Sequence, residues 1–242
     1  MTADTLRIGL VGVGHRAGIA EEWDKDDRAE VVAGADINDN FLAEFEETYA
    51  DNDPWVTKDY TELVARDDID AVAVFTPDPL HCRPVVEALH AGKHAFVEKP
   101  MATSVEECDE MIQAARESGK KLMVGHNMRY QDRYIALKNI IDSGELGEVK
   151  AIWMRHFLGK AGYWWFHDYR ATREGSNTIL LAKGSHDIDM IHYLAGCYTE
   201  QVTAMGSRDY FGGDYPNDLR CENCDEQDTC PEYSTRDLDT RD

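Results

Sequence analysis

The sequence predicts an α/β chain: an N-terminal doubly wound parallel sheet, then a second α/β unit with a mixed open sheet. Three observations predict it. From residue 6 to about 125, short apolar runs alternate with amphipathic stretches, the rhythm of β-α-β units. The first run enters a glycine-rich bend, Gly12-Val-Gly14-His-Arg-Ala17, and the second ends in an acid, Asp36. From Tyr130 the character changes, which places the two domains at 1–127 and 128–242.

The elements follow in order. Strands are expected at Arg7–Val11, Glu30–Ala35, Ala71–Phe75, Ala95–Val97 and Lys121–Val124, with helical patterns near 15–24, 39–49, 59–65, 80–91 and 104–118. The last of these helices opens on Ser104 with Glu107 three residues on, a capping box, and Gly119 closes it. In the second part a helix over about 130–142 precedes a long strand from Val149 to Phe157. An aromatic loop, Tyr163–Tyr169, then leads to a helix running from Ser176 to a terminating Gly196, and a further strand lies near 200–207. The Gly-, Asp- and Cys-rich end shows no periodicity.

The bend and the acid carry chemistry together. A strand feeding Gly-x-Gly-x-x-Ala and then a helix is the layout of a dinucleotide site, the signature of a Rossmann domain. Gly12 permits the tight turn, Gly14 lets a pyrophosphate approach the backbone, and Ala17 keeps the helix close to the sheet. The unpaired N–H groups of the helix start face the phosphates. Asp36 falls where a carboxylate accepts from both adenosine ribose hydroxyls and repels a 2′-phosphate, so NAD is expected over NADP.

Composition bounds the rest. The 242 residues allow one large or two modest domains, and 47 acids against 25 bases give a net charge of −22. The acids are spread along the whole chain. Such a charge repels itself in dilute buffer and is screened in salt, so a salt-rich, halophilic cytoplasm and stability that rises toward molar KCl are expected. No basic stripe is present to bind nucleic acid. No apolar run approaches the roughly 20 residues of a membrane span, and no signal-peptide pattern stands at the N-terminus. A soluble cytoplasmic protein is expected.

The segments Gly9–Ala17, Thr76-Pro-Asp-Pro-Leu-His81, Ala91-Gly-Lys-His94 with Glu98-Lys-Pro100, Gly125-His-Asn-Met-Arg-Tyr130 and Gly184-Ser-His-Asp-Ile-Asp189 occur in an order similar to that of the Gfo/Idh/MocA oxidoreductases, the glucose-fructose oxidoreductase and inositol dehydrogenase family. The resemblance covers about residues 10–196. It implies an NAD-dependent dehydrogenase acting on a secondary hydroxyl of a sugar, cyclitol or related polyol, assembled as a homodimer or homotetramer. It implies cofactor contacts from Gly12, Gly14, His15, Arg16, Ala17, Asp36, Thr76, Pro77, His81, Glu98, Lys99 and Asn127. It also implies a catalytic set of Lys99, His186 and Asp189.

The chemistry of those residues agrees. Lys99 follows a buried strand and precedes a proline; an ammonium there, partly desolvated, anchors a substrate hydroxyl and has its pKa lowered. Its alternative is an ion pair with Glu98. A histidine side chain in general titrates near neutrality, which suits His186 to acid–base work, and Asp189, three residues on, shares its helix face and can orient it.

Three features depart from the family pattern or stand outside it. Many members carry an acid four residues before this histidine; here that place is Ala182, beside Lys183, which binds an anionic substrate, replaces the acid in the proton path or is structural. That departure admits an NAD-retaining glycosidase or epimerase-like enzyme that oxidises only transiently, or a non-catalytic NAD-binding regulator. In the aromatic loop, Trp165 either stacks on a sugar ring or covers a domain interface, and Arg170 and Arg173 suit a carboxylate or phosphate on the ligand. Cys221-x-x-Cys224 with Cys230 has three of the four ligands of a structural zinc site; free thiols or an iron–sulfur fragment are the alternatives. Family members carry a larger C-terminal domain, so a truncated or split chain is expected.

Overall fold

A computed structural model describes residues 5–159, 172–207, 210, 215–216 and 219–233. Within it one compact unit runs to Gly125 and a second begins at His126.

The first unit is built on strands β1 (Leu6–Val11), β2 (Ala29–Ala35), β3 (Trp55–Thr57), β4 (Ala71–Val74), β5 (His94–Val97) and β6 (Leu122–Val124). Their order in the sheet is β3-β2-β1-β4-β5-β6, and every pair is parallel. This is a doubly wound sheet with its switch point between β1 and β4, where ligands of open α/β sheets lie beyond the strand ends. β1, at the centre, is buried over its last four residues because both its faces are covered. On one face, Ile8, Leu10, Val31 and Ala73 pack with Leu42 and Phe45 of helix α2 (Asp39–Thr48). A 3-10 turn, His15–Ala20, runs into the short helix α1 (Glu21–Asp24), and Ala17 and Ala20 join the same layer.

On the other face, Val32, Val72, Val74 and Val97 meet α3 (Tyr60–Val64), α4 (Cys82–His90) and α5 (Val105–Ser118). The cap chemistry of α5 is the expected one: Ser104 Oγ accepts from the Glu107 N–H, and Gly119 takes a left-handed φ of +67° at the end. Glu107 reaches back to the Thr103 N–H. Strand β3 has no counterpart among the expected elements, since three residues are too short for an alternating pattern to declare itself.

The second unit is helical among its described residues: α6 (Asp132–Asp142), α7 (Arg173–Ser176), α8 (Ile179–Ala182) and α9 (Gly184–Ala195), which Gly196 ends at φ +69°. The single helix expected from Ser176 to Gly196 is broken. Asn177 takes a positive φ of 61°, and Thr178 caps a new start by accepting from the Leu181 N–H. A further turn follows at Lys183. The strands expected at Val149–Phe157 and near 200–207 pair with nothing among the described residues. A strand needs a ladder partner, and an apolar pattern does not supply one.

Candidate active site

The sequence places the first group of functional residues at the ends of parallel strands, and parallel pairing brings those ends to one edge of the sheet. β1 hands over to Gly12, β2 to Asp36, β4 to Thr76 and β5 to Glu98 and Lys99.

At the bend, Gly12 has φ +82°, and a Cβ there would stand 2.8 Å from Thr76 N, so only glycine fits. Gly14 precedes the 3-10 turn, and a Cβ on it would meet the Phe41 ring at 3.2 Å. His15 stacks edge-on to Phe41 at 5.8 Å, and Arg16 is exposed. Asp36 braces the same bend. Its Oδ2 accepts from the Val13 N–H at 2.9 Å and its Oδ1 from the Asn38 N–H at 2.9 Å. Each oxygen keeps a lone pair, so the carboxylate retains capacity for two hydroxyl donors. Beside it Ile37 is 86% exposed, an apolar platform at this edge that the sequence reasoning did not single out.

Thr76 Oγ1 is buried without a hydrogen-bond partner among the described residues, and Pro77 opens the next turn, exposed. Glu98 is only 4% exposed and fully engaged: Oε1 pairs with the Arg16 guanidinium at 2.6 Å and Oε2 accepts from the Lys99 N–H at 2.9 Å. Lys99 itself is half-buried, and the Lys99–Pro100 peptide is cis. The Lys99 backbone N–H is held by the buried Glu98 carboxylate. His81 departs from its expected place on the cofactor. It is 1% exposed, and both ring nitrogens lie 2.8 Å from backbone carbonyls, Nδ1 from Pro100 O and Nε2 from Thr76 O. Both ring nitrogens face backbone carbonyls.

The second group belongs to the second unit. Asn127 starts a 3-10 turn, Asn127–Tyr130, and Arg129 leaves that turn toward α9. Its guanidinium grips Asp189 with two bonds, Nε to Oδ2 at 2.8 Å and Nη2 to Oδ1 at 2.5 Å, which holds its pKa above the ordinary arginine value. His126 Nδ1 stands 3.7 Å from the same carboxylate, and its ring is edge-on to His186 at 6.0 Å. His186 is 5% exposed in the first turn of α9. Asp189 is thus anchored by Arg129, so the structure gives it a tether in addition to any task toward His186. Arg129 and His126 were not among the expected site residues. The available signal was chemical: a half-buried acid on an amphipathic helix needs a cation.

Lys183 is half-buried between α8 and α9. Trp165 and Arg170 lie outside the described residues. Among the described residues the zinc clamp is not formed. Cys221, Cys224 and Cys230 are half-buried free thiols, and among the described residues no three His, Cys, Asp or Glu gather as a metal-holding group. The spacing supplies the sulfurs, but the backbone turns that Cys224 N closes on Cys221 O and Cys230 N on Glu226 O do not converge them. No helix among the described residues is long and apolar enough to cross a membrane.

Known proteins match both parts of the chain. Residues 6–126 match the oxidoreductase family with an NAD-binding Rossmann fold, and residues 134–228 match the GFO/IDH/MocA C-terminal domain. Inositol 2-dehydrogenase/D-chiro-inositol 3-dehydrogenase of Halalkalibacterium halodurans is 33% identical over 82% of this chain and 55% of its own. A 2,7-anhydro-N-acetylneuraminate hydratase of Mediterraneibacter gnavus is 31% identical over 84% and 52%. The crystal structure of scyllo-inositol dehydrogenase from Lactobacillus casei with bound NAD(H) and scyllo-inositol superposes with TM-score 0.69, at 28% identity over 80% of this chain and 57% of that one. The chain spans about half the length of the curated relatives it matches.

Proposed function

Because the chain belongs to the Gfo/Idh/MocA oxidoreductase family, we propose that it binds NAD and moves a hydride between nicotinamide and a secondary hydroxyl of a sugar, cyclitol or related polyol. One observation carries the reading: the glycine bend, the Asp36 carboxylate and the Lys99 turn stand at one edge of one parallel sheet. The residues fit the cofactor. A bend that no Cβ could enter, a carboxylate with lone pairs to spare and the partnerless Thr76 Oγ1 together make a cradle for a dinucleotide. When bound, NAD supplies the hydride acceptor.

The chain's own groups do the rest. Gly12 and Gly14 admit the pyrophosphate, and Asp36 receives the ribose hydroxyls and disfavours a 2′-phosphate. The Lys99 ammonium holds the substrate hydroxyl, and the His186 imidazole takes its proton as oxidation proceeds. Asp189, anchored by Arg129, keeps the helix turn that carries His186 in place. The relatives that act on inositols set the substrate class to try first, with myo- and scyllo-inositol as probes.

The test joins calorimetry to kinetics. NAD uptake by the folded chain is expected, and Lys99→Ala is expected to lower hydride transfer by about 10²–10⁴-fold while uptake persists. A folded chain that takes up neither NAD nor NADH overturns the proposal. A second reading is favoured by Ala182 and Lys183, which stand where an acid is expected, and by the similarity to a hydratase. In it the hydroxyl is oxidised only transiently, a neighbouring bond is broken and the hydride returns. Turnover without net NADH absorbance would select it.

A further inference from the structure

His81 is a buried imidazole that the proposed chemistry does not use. It opens α4, is 1% exposed, and touches two backbone carbonyls that belong to different strand ends. Thr76 O follows β4, and Pro100 O follows β5 directly after Lys99. Carbonyl oxygens only accept, so the ring nitrogen that carries the hydrogen donates to the carbonyl it faces.

The second hold on the same turn comes from the opposite partner. Glu98 Oε2 accepts from the Lys99 N–H, and Oε1 is pinned by Arg16 from the glycine bend. The backbone on each side of Lys99 is therefore bonded to a buried side chain: its own N–H to Glu98, and the carbonyl of the next residue to His81. A lysine side chain is flexible, and its ammonium is placed only as well as the backbone beneath it.

We propose that His81 is a positioning residue for Lys99: its imidazole fastens the Lys99–Pro100 turn to the end of β4, so that the ammonium is held where a substrate hydroxyl must lie. The assignment rests on the proposed hydride transfer for its purpose, but its physical content is independent of it. The task of His81 is to set the order of the turn that carries Lys99.

Hydrogen exchange on the full chain, with and without NAD, tests this. His81→Phe keeps a ring of similar size and removes the ring N–H; His81→Gln keeps an N–H donor on a flexible side chain. The Lys99 amide is expected to exchange about tenfold faster in His81→Phe, and by a smaller factor in His81→Gln, with β-sheet amides such as Ala73 and Phe96 changed by less than about twofold. Where an inositol is turned over, kcat is expected to fall in the same order while KM for NAD moves less. A residue that only fills the core would speed exchange through the whole sheet, and that pattern, or an unchanged Lys99 amide, overturns the proposal. Should His81→Phe fail to fold, His81→Gln decides alone by the same comparison. Failure of NAD uptake by the unsubstituted chain would overturn the proposed function and leave the exchange result to judge the brace.

Discussion

The centre of the first unit and segment 149–158 of the second are both apolar, both patterned as strands, and differently treated by the fold. Leu10 in β1 has no exposed surface, whereas Trp153 and Phe157 are each 86% exposed. β1 is bonded on one side by β2 and on the other by β4; the segment has no ladder among the described residues. Alternation of apolar side chains states which face a strand is able to bury. It does not state what arrives to bury it.

The sharpest way to break this comparison uses thiols. Cys82 in α4 is buried, and that burial, with Glu110 and Glu107 nearby, pushes its pKa up to about 12 from 9.0. A raised thiol pKa means less thiolate at every pH below it, so near pH 8 Cys82 holds about a thousandfold less thiolate than an unshifted cysteine. Cys197, just beyond α9, is exposed. Maleimide labelling followed by mass spectrometry is expected to modify Cys197 at once and Cys82 only on unfolding, with the Cys82 rate rising as pH climbs toward its folded value. Equal labelling of the two would mean that the first unit opens as readily as the second.

The next largest effect is on stability. Leu10→Ala removes a side chain packed on every side, and denaturant unfolding is expected to lose about 2–5 kcal/mol. A loss below about 1 kcal/mol would show that the central strand is not the closed core its burial indicates.

How much of this was legible in the sequence depends on distance along the chain. The glycine bend, the Ser104 cap and Gly119 are local statements, in which each residue's task is set by neighbours within a turn, and the structure places them as read. Strand β3 is too short to show a period. The break at Asn177 goes with the Thr178 cap that follows it, a Thr–Ile–Leu–Leu string that reads equally well as continuous helix. His81 was assigned to the cofactor through its place in a shared motif, while its partners are backbone carbonyls 5 and 19 residues away, which no side-chain pattern announces. Arg129 and Asp189 are 60 residues apart, and only the fold brings such a pair into contact.

That pair supplies the intermediate prediction. The Asp189 side chain is 12% exposed and Arg129 is 41% exposed, so Arg129→Ala leaves a largely buried carboxylate without its bidentate donor. About 1–3 kcal/mol of stability is expected to go from the second unit. Asp189→Asn in the same background is expected to recover part of it, because a neutral amide tolerates the loss better. Independent, additive costs would remove the tether from the account of how His186 is held.

Asp36→Asn probes the first unit's edge with a smaller change. The amide oxygen can still accept one backbone N–H, but the repulsion against a 2′-phosphate and part of the ribose binding are lost. NAD affinity is expected to fall about tenfold, roughly 1.4 kcal/mol, while NADP affinity rises. Calorimetry with both coenzymes reads the exchange, and an unchanged preference would move coenzyme choice away from Asp36.

The smallest expected effect returns to the exposed segment. Trp153→Ser replaces a large indole that is already in water, so the folded and unfolded chains lose similar contacts and stability should stay within about 0.5 kcal/mol. The same residue type buried in a core would cost about 3–5 kcal/mol on truncation. The value measured therefore reports directly on whether the indole is covered in solution. A cost of several kcal/mol that grows with protein concentration would mean that a second copy lies over segment 149–158, since only association makes stability depend on concentration. A cost independent of concentration would place the cover within the chain itself. A near-zero cost keeps the contrast with β1 intact and identifies the missing ladder, rather than the residues, as what separates the two regions.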